Sequence, residues 1–236
     1  MKKQLIAAIA AALALGASAQ MADVTTPQKV FVGQPDPMCN PVLSPDGSTV
    51  IVTNADFTNA RIATFADARV RPYEAPRRAL FDMNYSGPEV DGVSVATAGS
   101  VLTITRNGVS REYTPVPSQA GYTWASVSPD GTKVLFFAAG RGIVVTDLEG
   151  RVLAEAGNYE APVWYGNDHI LAQNAKDDGH QYISSQIVLL SADGSQMQEL
   201  TAPESFAMTP SGAFDVNTVV YSTIDGILYK MNVTLR

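Results

Sequence analysis

The sequence is poor in the residues that most often form cross-links or carry chemistry. Cys39 is its one cysteine, so no internal disulfide can form, and a small buried thiol is the expected state of this residue. Only two histidines, His169 and His180, are available as candidate bases for nucleophilic catalysis. No phosphate-cradling glycine loop, zincin motif or dinucleotide fingerprint is present. These absences favour a protein without catalytic activity, metal or cofactor.

Long apolar runs are also scarce, and the one that exists lies at the N-terminus. Lys2 and Lys3, the apolar run from residue 5 to 15 and Ala17-Ser18-Ala19 form the three parts of a secretory signal, with cleavage expected after Ala19. The run is shorter than the roughly 20 apolar residues of a membrane anchor, and no later run is long enough to span a bilayer. We therefore expect residues 1 to 19 to be a signal peptide and residues 20 to 236 to be a single periplasmic or secreted domain.

Basic residues are outnumbered by acidic ones. Without Lys2 and Lys3 there are 14 basic residues against 23 acidic ones, which gives a formal net charge of −9. Phosphate binding depends on neutralisation by lysine and arginine, so a nucleic acid is a poor partner for this chain. A monomer without a nucleic-acid ligand is expected.

What the sequence does contain is a repeated turn signal followed by a short apolar run. Pro, Asp and Gly in succession favour a turn, because Pro fixes φ, Asp bonds to a backbone amide and Gly adopts positive φ. The turn positions recur every 37 to 45 residues, which is the period of one four-stranded propeller blade. They are Ser44-Pro45-Asp46-Gly47, Val90-Asp91-Gly92, Ser128-Pro129-Asp130-Gly131, Gly166-Asn167-Asp168 and Thr209-Pro210-Ser211-Gly212.

Each turn is followed by two predicted strands. The second strands of the five units are predicted at Thr49 to Thr53, Val93 to Thr97, Val134 to Ala138, Ile170 to Gln173 and Thr218 to Ser222. The third strands are predicted at Arg61 to Phe65, Val101 to Thr105, Ile143 to Thr146, Ser185 to Leu190 and Ile227 to Met231. Turns at Asn107-Gly108, Glu149-Gly150 and Asp193-Gly194 lead into fourth strands. The fold predicted is an all-β propeller of five four-stranded blades, although an irregular six-bladed ring stays open.

The last unit ends after its third strand, so its fourth strand must come from elsewhere. Lys29 to Val32 is an extended segment placed where a fourth strand would precede the first unit. Pairing of this segment beside Ile227 to Met231 would close the ring and protect the edge strand. On this reading, residues 20 to 25 are dispensable for stability.

The third unit gives the chain a family resemblance. Its Ser128-Pro129-Asp130-Gly131 turn, its Gly140-Arg141-Gly142 loop and the following strand that ends at Glu149-Gly150 resemble the repeats of the TolB-like, WD-type propeller family. The resemblance implies a propeller fold and an exported, periplasmic protein, and it implies no particular chemistry. Such family members usually have six blades and often a further domain, whereas five units are countable here.

The loops that enter the first strand and those that join the second and third strands lie on one side of a propeller, opposite the turns. Loops of this kind on a rigid scaffold often carry binding groups. The candidate binding residues are Tyr85, Tyr122, Trp124, Arg141, Tyr159 and His180. We predict a non-catalytic binding or scaffold protein that holds a protein, a peptide or a cell-envelope glycan. The alternative is a propeller-type lyase or hydrolase that acts on envelope polymers.

Overall fold

A computed structural model describes residues 20–30, 37–74 and 87–236, and this part of the chain is built from β-strands and turns without an α-helix. Two short strands come first, β1 (Ala22–Val24) and β2 (Gln28–Val30). Sheet I contains β3 (Asn40–Leu43), β4 (Thr49–Thr53), β5 (Arg61–Thr64) and β6 (Arg69–Pro72). Sheet II contains β7 (Val93–Ala98), β8 (Val101–Arg106) and β9 (Val109–Tyr113). All strand pairs are antiparallel.

The remaining sheets follow the same plan. Sheet III contains β10 (Tyr122–Val127), β11 (Lys133–Ala138), β12 (Gly142–Asp147) and β13 (Val152–Glu155). Sheet IV contains β14 (Glu160–Trp164), β15 (His169–Asp177), β16 (Tyr182–Ser191) and β17 (Met197–Glu199). Sheet V contains β18 (Ala207–Ala213), β19 (Thr218–Thr223) and β20 (Leu228–Leu235), to which β1 and β2 both pair. Single 3₁₀ turns occur at Pro203–Ser205 and Phe214–Val216.

The predicted second and third strands of all five units are confirmed. Their observed bounds differ by at most one residue in sheets I to III, whereas β15 and β16 in sheet IV form a longer hairpin than predicted. Gly131 has φ +70°, which confirms the turn geometry expected for Ser-Pro-Asp-Gly. The turn signals therefore locate the strands correctly, because each turn ends one strand and starts the next.

The core lies between neighbouring sheets. Four apolar clusters fill the contacts of sheet I with V, of V with IV, of IV with III and of III with II. Middle strands such as β19 are buried along their whole length, because both of their faces pack against another sheet. The first strands of sheets I, V, IV and III also lie next to one another, which places them on the inner side of this row of sheets.

The prediction of the fifth turn is wrong. Thr209-Pro210-Ser211-Gly212 lies within strand β18, and the chain turns later, at residues 214–217. Gly212 is required by packing instead of by turn geometry, because a methyl group on it would lie 2.7 Å from the ring of Tyr165 and 2.9 Å from Leu171. The two prolines of the inner strands β14 and β18 are tolerated because these strands form an edge of their sheets.

The predicted pairing of the N-terminal segment with the last strand is confirmed as far as the described residues extend. Strand β2 pairs with β20 through Gln28 to Val30, whereas Phe31 and Val32 lie outside the described residues. The prediction that residues 20 to 25 are dispensable for stability did not anticipate β1, which pairs with β20 further along the same sheet. Met21 and Ala22 are buried in the core between sheets IV and V.

Candidate functional site

Two openings lie at opposite ends of the inner strands. One opening faces the turns that join the first and second strands, and its cavity is named here the turn-end cavity. The other faces the entering and joining loops and is named the loop-end pocket. The turn-end cavity has a volume of about 590 Å³, and the loop-end pocket about 100 Å³. The larger opening is therefore on the side opposite to the loops that the sequence singled out.

The turn-end cavity is lined by residues from all five sheets or the turns beside them. Most of its wall is apolar, and its polar members other than Ser126 belong to turns. The lining residues are Leu43, Pro45, Gly87, Pro88, Val90, Ser126, Val127, Pro129, Asp130, Val163, Trp164, Gly166, Asn167, Gly212, Ala213, Phe214 and Asp215. A cavity of this size and character falls within the range of about 300 to 1,000 Å³ that is usual for ligand sites.

Two aromatic side chains form the wall of this cavity at sheets IV and V. Trp164 is half-buried, and its indole Nε1 donates a hydrogen bond of 3.3 Å to the carbonyl of Ser126 in sheet III. Phe214 is 41% exposed and meets the ring of Tyr165 edge-on, with centroids 5.4 Å apart. Gly166 allows this arrangement, since a side chain there would press on the Phe214 ring. Both rings are held in place by protein contacts and still reach the cavity.

Two of the turns around the turn-end cavity hold a carboxylate by hydrogen bonds that favour its ionised form. In the first turn, Asp46 accepts hydrogen bonds from the hydroxyls of Ser44 (2.6 Å) and Ser48 (2.8 Å). These bonds lower the pKa of Asp46 to about 2. Asp130 accepts the equivalent bonds from Ser128 and Thr132, and its pKa is lowered although partial burial opposes the shift.

The loop-end pocket is defined by three strained residues. Trp124, Ala161 and Thr209 occupy equivalent positions on β10, β14 and β18, where the strand register shifts, and they have φ of 51°, 47° and 45°. Positive φ in residues other than glycine is uncommon, and such bulges redirect side chains at the ends of strands. Trp124 also packs edge-on against Phe137, with centroids 6.0 Å apart. The bulges set the shape of a small apolar pocket that also includes Phe57.

A polar cluster lies beside the loop-end pocket. The side-chain amide of the buried Gln173 accepts a bond from the Thr209 backbone (3.1 Å) and donates one to Glu160 (3.3 Å). Burial and the nearby Asp177 raise the pKa of the half-buried Glu160 carboxyl. The same burial, with the charges of Glu160 and Asp177, raises the pKa of Tyr182. This cluster joins sheet IV to sheet V and contains no base paired with a nucleophile.

A third cavity of about 470 Å³ lies between sheets III and IV and contains His169 beside serine and aspartate side chains. Burial lowers the pKa of His169, which favours the neutral imidazole. The hydroxyls of Ser191 and Ser195 donate to Asp193 at 2.6 and 2.7 Å. That bonding repeats the Ser-x-Asp-Gly-Ser/Thr turns seen elsewhere in the chain, so these hydroxyls stabilise a turn.

The structure disperses the predicted binding residues instead of bringing them together. Tyr122 is only 3% exposed, and its hydroxyl donates to the carbonyl of Val116 within the core. Arg141 is exposed and pairs with Glu155 at 2.5 Å.

The other predicted residues are equally separate. Tyr159 is half-buried and packs against the apolar cluster between sheets III and IV, where it covers Gly157. His180 is exposed at the tip of the β15–β16 hairpin, where its backbone amide donates to Asp178. Trp124 lines the loop-end pocket, and Tyr85 lies outside the described residues.

No group of three or more His, Cys, Asp or Glu side chains within residues 20–30, 37–74 and 87–236 is placed to hold a metal ion. Among the same residues, no helix is long and apolar enough to cross a bilayer.

Sequence reasoning did not identify the turn-end cavity. Neither Trp164 nor Phe214 is among the candidate binding residues that the sequence suggests. The sequence does contain a signal for Phe214, which lies in the extra residues between the predicted fifth turn and Thr218. An aromatic side chain in such an insertion is expected to pack against a neighbouring surface.

No protein-family model matches this sequence, and no curated protein matches it. A solved structure of a protein of Agrobacterium tumefaciens assigned as TolB is 14% identical with a TM-score of 0.47, and the match covers 84% of this chain and 79% of that one. TolB from Acinetobacter baumannii is 15% identical with a TM-score of 0.45, over 83% of this chain and 53% of that one. Regucalcin from Agrobacterium tumefaciens, described as a calcium-binding protein, is 13% identical with a TM-score of 0.49, over 89% and 93%. At these values the likenesses assign neither a ligand nor an activity to this chain.

Proposed function

We propose that this chain is an exported, non-catalytic β-propeller of five blades that binds a protein or peptide of the cell envelope at its turn-end cavity. The observation that carries the proposal is the cavity itself, with its volume of about 590 Å³ and its wall of apolar and aromatic side chains from all five sheets or their turns. An apolar concavity with exposed aromatic residues on a rigid scaffold is typical of a binding site.

The five-bladed ring is supported by the order of the sheets. Sheets I, V, IV, III and II pack in that succession through four apolar clusters, with the first strands of four of them on the inner side. Strand β2 supplies the outer partner of β20, as a closing strand would. In the proposed ring, sheets I and II would make the fifth contact between neighbouring blades.

Binding is favoured over catalysis by what the candidate catalytic groups already do. The serine hydroxyls in the cavity with His169 donate to Asp193 in a turn. The Glu160 carboxyl, whose pKa is raised, accepts a hydrogen bond from the buried Gln173. In the turn-end cavity, the carboxylate of Asp130 is likewise engaged by Ser128 and Thr132. An envelope-polymer lyase or hydrolase is the alternative, and it would need a base and a nucleophile that are free to reach substrate.

The test is capture of a partner from an envelope extract by wild type and two variants. Phe214→Ala changes the turn-end cavity and Trp124→Ala the loop-end pocket, and each variant must first show the circular dichroism spectrum of the wild type. We expect Phe214→Ala to lose the captured partner and Trp124→Ala to retain it. Loss only in Trp124→Ala would place the site at the loop end. Steady turnover of an envelope polymer by the wild type would contradict the proposed binding function and support the catalytic alternative.

A further inference from the structure

Aspartates lie in the turns at the mouth of the turn-end cavity, and two of them, Asp130 and Asp215, line it. One aspartate lies in each connection between a first and a second strand of sheets I, III, IV and V, and one in the turn before β7 of sheet II; they are Asp46, Asp130, Asp168, Asp215 and Asp91. Lys133, at the start of β11, is a basic side chain beside these turns, and its ammonium is bonded to Asp168 at 2.7 Å. One ammonium against five aspartates leaves the described residues of these turns, named here the rim, with a net negative charge.

Hydrogen bonds favour the ionised form of two of these aspartates. The hydrogen bonds within the turns lower the pKa of Asp46 and Asp130, so both stay ionised. Asp215 lines the cavity, is exposed, and has no ion pair with another residue of the described chain. Lys133 acts on Asp130 as well as on Asp168, so a cation at this rim would meet Asp46, Asp91 and Asp215 without competition from that ammonium.

The wall below the rim suits the aliphatic part of a basic side chain. Lysine and arginine bury their methylene stems against apolar surface while the charged group stays at the rim. Trp164 already has the Lys133 ammonium 6.0 Å from its ring centroid, so this ring can accept a cation. Phe214, 41% exposed, offers a second ring within the same cavity.

We propose that the turn-end cavity takes a peptide segment in which lysine or arginine adjoins apolar residues. This inference rests on the proposed function and adds the chemistry of the partner, which is chosen by charge complementarity between the aspartate rim and a basic segment. An acidic segment would meet like charges at the rim, and a basic segment without apolar residues would leave the aromatic wall exposed to water. Both are expected to bind less tightly.

The experiment uses a phage-displayed library of random heptapeptides, selected on the protein that begins at Gln20. We expect the enriched peptides to combine lysine or arginine with apolar residues. The affinity of the most enriched peptide is then measured by fluorescence anisotropy at low and physiological salt, for wild type and for variants. Asp91→Asn with Asp215→Asn removes two rim charges, and Asp67→Asn with Asp225→Asn is the matched control, which removes two exposed charges away from the cavity.

The rim variant loses two exposed ion pairs with the basic groups of the peptide, which should weaken binding by up to about tenfold at low salt. The control pair should bind as the wild type does, and the salt dependence of binding should decrease only in the rim variant. Enriched peptides that are neutral or acidic, yet are lost on Phe214→Ala, would overturn the charge inference and leave the proposed function standing. Enrichment that is unaffected by Phe214→Ala would overturn both. A dimer of the chain that dissociates on Phe214→Ala would show that a second copy occupies the cavity, and would also overturn the inference.

Discussion

Met21 offers a sharp test of the fold, because the second residue after the expected cleavage point is buried. Its side chain is 7% exposed and packs in the cluster between sheets IV and V. The backbone nitrogens of Met21 and Ala22 both donate to the side-chain oxygen of Gln198, at 2.7 and 2.8 Å, and the carbonyl of Met21 accepts from Arg236. Met21→Ala should therefore loosen the contact of β1 with two sheets.

The expected loss follows from the burial of this side chain. Truncation of a buried methionine to alanine costs about 2 to 5 kcal/mol, and a position near a chain end, where neighbours can relax, should lie near the lower limit. For a domain of this length, each kcal/mol lowers the melting temperature by about 2 to 4 °C. We thus expect a decrease of roughly 4 to 10 °C.

The assay is thermal unfolding followed by circular dichroism, on the protein that begins at Gln20. Thr26→Ala is the control, because Thr26 is exposed in the link between β1 and β2 and its truncation should change stability by less than about 0.5 kcal/mol. Equal melting temperatures for Met21→Ala and Thr26→Ala would refute the docking of β1. The same result would restore the view that residues 20 to 25 are dispensable.

Three further changes test other parts of the fold. Tyr165→Phe removes the buried hydroxyl that donates to the Val233 carbonyl, and the free energy of unfolding should fall by about 1 to 2 kcal/mol in urea titrations; no change would mean that the bond does not join sheets IV and V. Gly131→Val places a β-branched residue at φ +70° and should cost about 1 kcal/mol or more, so an unchanged urea midpoint would contradict the strained turn. The pKa of Glu160 is raised, so its ionised form destabilises the fold as pH increases through that pKa. Glu160→Gln should thus raise the melting temperature at neutral pH, but not well below the ordinary glutamate pKa of 4.5, whereas the exposed control Glu204→Gln should change it at neither pH.

The strands were predictable because local signals determine them. Turns such as Ser128-Pro129-Asp130-Gly131 combine fixed φ, a side-chain cap and positive φ within four residues, and these are properties of the segment alone. The prediction of the fifth turn was wrong for a long-range reason. Glycine is needed at position 212 because the Tyr165 ring of another sheet leaves no room for a side chain there. Strand β1 was missed because three residues, Ala22–Val24, are too short for an alternating pattern.

The turn-end cavity was not predictable from any single segment. Its wall takes residues from five connections that are spread over the sequence, and each connection has the composition of an ordinary solvated turn. The aspartates can be identified in the sequence, but turn formation alone is enough to account for their presence there. Only the packing of the sheets places Asp130, Asp215, Trp164 and Phe214 around one cavity.

The pairing of β1 and β2 with β20 has a consequence for the kinetics of folding. Ala22 is the partner of Leu235, so sheet V joins segments from opposite ends of the sequence. Contacts of such separation require closure of a very long loop, and topologies dominated by them fold slowly. In sheets III and IV, strands that are successive in sequence are also neighbours in the sheet, so these sheets can form before the C-terminal segment has been synthesised. Sheet V must wait, with β18 to β20 lacking their outer strands, and in that interval the exposed edge of β20 is the place where two incomplete molecules would pair wrongly.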